Sequence, residues 1–89
     1  MPQRTLKIRN KLGLHLRPAS LFAAEAGQYE SQIFISKDDI EVNGKSPVGI
    51  MMLAAGKGSS ITIRAEGNDA EDALDALEKL VVCRKFDEE

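Results

Sequence analysis

The sequence has one cysteine, one histidine, three prolines and no tryptophan in 89 residues. A lone Cys83 has no partner for an intramolecular disulfide and no ligand-spaced neighbour, so no metal centre is expected. Long apolar runs are also missing. The longest stretch without a charge or strongly polar group, residues 47–56, is about half of what a membrane span needs. The first residues lack the apolar core of a signal peptide, so a cytoplasmic, reducing setting is expected. A net charge of −2 gives no overall attraction to nucleic acid or to an anionic membrane, and neither is expected as a partner.

What is present fits one ordinary globular domain over residues 1–89, with 43% hydrophobic and 29% charged residues. Its charge is unevenly spread. Residues 1–24 carry Arg4, Lys7, Arg9, Lys11 and Arg17 and no acid, whereas acids gather from Glu66 onward. The early part of the chain is therefore a candidate anion-facing surface.

The hydropathy pattern changes period along the chain. Thr5 to Asn10 alternates, as does Ser60 to Glu66, and both read as half-buried strands. Gln32 to Ser36 and Ile40 to Val42 are strand-like around a tight turn at Lys37-Asp38-Asp39. Between them lies a helix over 16–27, with Ala19, Phe22, Ala23 and Ala26 on one side and Gly27 as its stop. Ser46-Pro47 reads as an N-cap followed by proline at the first helical position, opening a helix that ends at Gly56 or Gly58. Asp69 is expected to cap a last helix whose apolar stripe runs through Ala70, Ala73, Leu74, Leu77, Leu80 and Val81. The order β-α-β-β-α-β-α predicts a two-layer α/β sandwich: an antiparallel sheet with one covered face and one wet face.

His15 lies where the first loop becomes the first helix, in Lys11-Leu12-Gly13-Leu14-His15-Leu16-Arg17-Pro18-Ala19-Ser20. The opening amides of a helix have no internal acceptor and carry the positive end of its dipole. The Leu16 and Arg17 amides are thus candidate phosphate donors, and Arg17 adds a permanent forked charge. No acid follows until Glu25. These features point to phosphate at the imidazole, held there or bonded to it.

Gly13-Leu14-His15-Leu16-Arg17-Pro18-Ala19 resembles the active-site signature of the HPr family, whose common form has alanine in place of Leu16. The likeness continues through Val42-Asn43-Gly44-Lys45-Ser46, Met52-Leu53, Gly56 and Ile61-Thr62-Ile63-Arg64-Ala65-Glu66-Gly67. The resemblance implies an open-faced sandwich with a mixed sheet order of 1-4-2-3 and three helices on one face. It implies a stoichiometric carrier rather than an enzyme, without cofactor. His15 would accept a phosphoryl group at Nδ1 from phosphoenolpyruvate through enzyme I, and pass it to A-type components of the phosphotransferase system. Arg17 would stabilise the charge.

Ser46 matches a position that many members phosphorylate with a dedicated kinase, although a plain N-cap also explains a serine there. In the second helix, Pro47, Val48, Met51 and Met52 fall on the side opposite Gly49, Ile50 and Leu53. With Leu21 of the first helix, Pro47, Val48 and Met51 form a candidate docking patch for several partners. Cys83 is expected as a small, partly buried filler. Gly44-Lys45-Ser46 is not a P-loop, because that motif needs glycine where Asp39 stands. The alternatives are a nitrogen-related carrier and a regulatory module phosphorylated on Ser46. Residues 10–13, Met52-Leu53 and the acidic tail 86–89 are similar to the first, whereas Lys45-Ser46 and Val48-Gly49-Ile50-Met51 are similar to ordinary HPr. Ala24 and Gly27 stand where some sugar-type carriers have lysine, which leaves the identity of the partner enzyme I open. A monomer is expected in every case.

Overall fold

The computed structural model describes residues 2–9 and 13–84. Four strands form one sheet in the order β1-β4-β2-β3: β1 (Gln3–Lys7), β2 (Gln32–Lys37), β3 (Ile40–Asn43) and β4 (Ser60–Glu66). All three pairings are antiparallel, so the order is mixed but the strand directions strictly alternate. Helices α1 (Leu16–Ala26), α2 (Pro47–Met51) and α3 (Ala70–Glu78) cover one face. Among the described residues no helix is long and apolar enough to cross a membrane.

The alternation of β4 places every apolar side chain inward, with Ile61, Ile63 and Ala65 wholly buried. Ile33 and Ile35 of β2 do the same beside it. Against them pack Ala19, Phe22 and Ala26 of α1 and Ala73, Leu74 and Leu77 of α3. On the wet face, Arg64 stands 4.3 Å from the centre of the Phe34 ring and binds Glu41.

The charge-rich start of the chain divides in two. Arg4 is spent on structure: it reaches Glu71 at 3.2 Å, Asp75 at 2.7 Å and Glu78 at 3.1 Å, fastening β1 to α3. Arg4 therefore drops out of the expected anion-facing surface.

Three expectations need correction. Helix α2 stops at Met51, short of Gly56. The amides of Leu53 and Ala54 bond three residues back, and Ala54 turns to φ 52°. This turn sends Leu53 and Ala55 into the core, which a continuing helix would not allow. Cys83 is exposed rather than packed. It closes a π-helical segment, Lys79–Cys83, that extends α3 and buries Leu80 and Val81. Asn10 to Leu12 and the acidic tail 86–89 lie outside the described residues.

The third correction concerns Asp69. It stands at the start of α3 but makes no side-chain cap bond. Its carboxylate instead accepts from the Glu30 and Ser31 amides, each at 2.9 Å, and from the Ser31 hydroxyl. Ser31 is the buried polar residue of the core, pressed against Gly67, where a Cβ would lie 2.7 Å from its Cα. The Ser31 hydroxyl, followed by the Glu30 amide, holds the Asp69 carboxyl below the usual aspartate range. A depressed folded-state value adds stability that is full above the unfolded value of about 4 and is lost as pH falls through the folded one. Asp69→Asn should therefore lower the thermal midpoint at pH 7. The gap to the parent should narrow in a melting series as pH falls through the folded value. A gap independent of pH would show that the carboxylate charge is irrelevant there.

Candidate functional site

Helix α1 starts at Leu16 because His15 keeps an extended backbone (φ −94°, ψ −168°) while its carbonyl already accepts from Ala19 at 3.0 Å. Pro18 lies between and has no N–H. The first turn thus offers two main-chain donors, Leu16 and Arg17, with no acceptor for either among the described residues. No acidic side chain occupies that turn. Burial of Pro18, Ala19, Phe22 and Ala23 anchors the helix, so its amino end is fixed in place while Leu16 and Arg17 face solvent.

The imidazole of His15 is half-buried and makes no cap bond. Its Nε2 is shielded from solvent, which turns that edge of the ring inward. Arg17 is exposed and meets no carboxylate among the described residues.

The residues before His15 are held by a distant segment. The Leu14 amide donates to the Ala55 carbonyl at 2.8 Å, and the Leu14 side chain is buried. Gly13 has φ 72°, and a Cβ there would sit 2.3 Å from the Ala55 oxygen and 2.6 Å from the Gly56 Cα. The loop after α2 therefore forms the floor under the histidine loop. Helices α1 and α2 also touch, so the apolar surface of α2 flanks the same end of the molecule.

That surface is real. Val48 is 70% exposed, Met51 40% and Met52 68%. Pro47 is half-buried, and Leu21 is half-buried and packs against the core. Leu21 thus offers one edge rather than a full face. Met52, which core packing could have explained, lies in the open. So does the Leu16 side chain, at 64%. Pattern reading passed over Leu16 because it is apolar yet off the buried stripe of α1; that mismatch was the available signal.

Ser46 has an extended backbone and its hydroxyl accepts from the Gly49 amide at 3.1 Å, an N-cap bond with Pro47 at the first helical position. Ser46 is half-buried.

Known proteins share this fold. The family described as PTS HPr component phosphorylation site matches residues 2–82. The HPr-like protein Crh of Halalkalibacterium halodurans is 48% identical over 77 residues, covering 86% of this chain and 92% of Crh. Among solved structures, HPr from Thermoanaerobacter tengcongensis superposes with a TM-score of 0.94 at 46% identity, covering 100% of this chain and 99% of that one. Crh of Bacillus subtilis, described as a swapped dimer, superposes at 0.74 with 42% identity over 91% of this chain and 93% of its own. Fold, sheet order and sequence agree over nearly the whole length, and the chain belongs to the HPr family of the phosphotransferase system.

Proposed function

We propose that this carrier accepts a phosphoryl group on His15 from phospho-enzyme I and donates it to A-type components of the phosphotransferase system. The observation that carries the reading is His15 at the amino end of α1, beside two amides and an Arg17 guanidinium that meet no acceptor among the described residues. Nε2 is the buried edge of the ring, which supports Nδ1 as the attacking nitrogen. A bond forms from Nδ1 to phosphorus as the bond from phosphorus to its donor breaks; the reverse exchange hands the group on. The protein's contribution is position and charge. The Leu16 and Arg17 amides meet phosphoryl oxygens at the helix start, and the Arg17 guanidinium neutralises them. Incubation with phosphoenolpyruvate and its enzyme I should add one acid-labile, base-stable phosphate. An acid-stable product would end this reading.

Arg17→Ala tests the charge. Arg17 is exposed and carries no described ion pair, so its loss should leave the thermal midpoint nearly unchanged. Loss of one positioned donor should slow transfer roughly 10²-fold. A large fall in stability with normal transfer would make Arg17 structural.

Partners dock on Leu21, Pro47, Val48 and Met51, extended by Leu16 and Met52, and the carrier acts as a monomer in the cytoplasm. Its relative Crh, a swapped dimer in the Bacillus subtilis structure, makes sedimentation the check on that state.

A second reading, regulation through Ser46 by a specific kinase and phosphorylase, draws on the cap hydroxyl of half-buried Ser46 beside Val48 and on the likeness to Crh. A regulatory module alone would not need His15. Negative charge at a helix start is favourable by about 0.3–1 kcal/mol, so Ser46→Asp should fold as well as the parent. It should nevertheless take phosphate from enzyme I more slowly. Adding Val48→Ala, which removes about 1 kcal/mol of apolar contact, should weaken docking roughly fivefold further. Parental transfer rates in Ser46→Asp would reduce Ser46 to a cap.

A further inference from the structure

Lys7 and Arg9 lie two residues apart on extended chain, on the side opposite buried Leu6 and Ile8. Beyond β1 the pairing with the incoming chain continues. The Ile8 amide donates to Ser59 and the Gly58 amide to the Ile8 carbonyl, each at 2.8 Å. These bonds bring Lys57 alongside. The result is a cleft of about 340 Å³ lined by Lys7, Ile8, Arg9, Lys57 and Gly58.

All three cations are exposed, and none meets a carboxylate among the described residues. The other arginines of the sheet behave differently: Arg4 and Arg64 are each engaged by at least two acids. Among the described residues no acid lines the cleft, which disfavours a cation, and no aromatic side chain is there to stack on a base.

We propose that this cleft is a second anion site, separate from His15, for a small molecule carrying two phosphoryl groups. The charge argument sets the class. One phosphoryl group carries about −1.5 to −2 at neutral pH, which leaves a cation unmatched, whereas two groups match all three. The Arg9 guanidinium supplies a forked contact and the two lysines supply point charges. The volume falls within the range of small-molecule sites, roughly 300–1,000 Å³.

Pyrophosphate is the probe, titrated into isotopically labelled protein at ionic strength held constant with sodium chloride. Saturable amide shifts should appear at residues 7–9 and 57–59 and persist in His15→Ala. Arg9→Gln and Lys57→Gln should each weaken binding about tenfold, the loss of one hydrogen bond to a charged group. Their melting should stay parental, since both side chains are exposed. Shifts that never saturate, that centre on residues 13–18, or that survive both substitutions would overturn the site. Equal binding of citrate would overturn the phosphoryl class. Slower transfer from enzyme I in Lys57→Gln, with no pyrophosphate binding by the parent, would assign the cations to protein docking instead.

Discussion

His15→Ala should take up no phosphate from phosphoenolpyruvate and enzyme I, yet should melt close to the parent. The first half follows from composition, because the chain has no other imidazole to form the acid-labile bond. The second half follows from geometry. The His15 side chain makes no cap bond to α1, so alanine forfeits no capping energy. The helix is held by Pro18, Ala19, Phe22 and Ala23, whose burial does not depend on the imidazole. Labelling followed by acid treatment, beside a thermal melt, reads both halves. Residual acid-labile phosphate in the variant would move the acceptor elsewhere. Collapse of the fold would make the histidine a structural residue.

Gly13→Ala should cause a large loss of stability for the addition of one methyl group. A residue with a Cβ at φ 72° carries about 1–2 kcal/mol of left-handed strain. The new carbon would also meet the Ala55 oxygen at 2.3 Å, a main-chain atom that cannot swing aside as a long side chain would. Overpacking of this kind adds about 1–3 kcal/mol, for a total of about 2–5 kcal/mol by urea denaturation. Relief of the clash must part the histidine loop from the segment at Ala55, breaking the Leu14 bond and displacing His15. Transfer should therefore slow in the fraction that remains folded. Gly56→Ala is the control, because a Cβ there meets nothing within 4 Å. It should stay near parental stability. Equal behaviour of the two variants would show that the close approach at Gly13 carries no strain.

Much of the site was legible in the chain. Pro18 within a helical pattern, a lone histidine just before it and an acid-free neighbourhood marked the amino end of α1 as a place for phosphate. Ser46-Pro47 marked the second helix start, and the observed cap bond is the one those residues predict. Strand β4 matched its alternation residue for residue, since a period of two with one wet face leaves only one register that buries Ile61, Ile63 and Ala65.

What escaped the chain was decided by contacts between residues far apart in it. Asp69 had the residue type and place of a cap, but the Glu30 and Ser31 amides compete for the same oxygens and win. Helix α2 had no local reason to end at Met51; the need to seat Leu53 and Ala55 in the core ended it. Arg4 and Lys7 were equivalent as letters, yet α3 lies over one and water over the other. Local pattern determined the elements, the face each buries and the placing of the lone histidine at a helix start, because propensity, capping and periodicity act within a few residues. Only the tertiary structure decided which polar groups are spent on one another and which remain for a partner, because the competing donors and acceptors meet only when the sheet and helices close on each other.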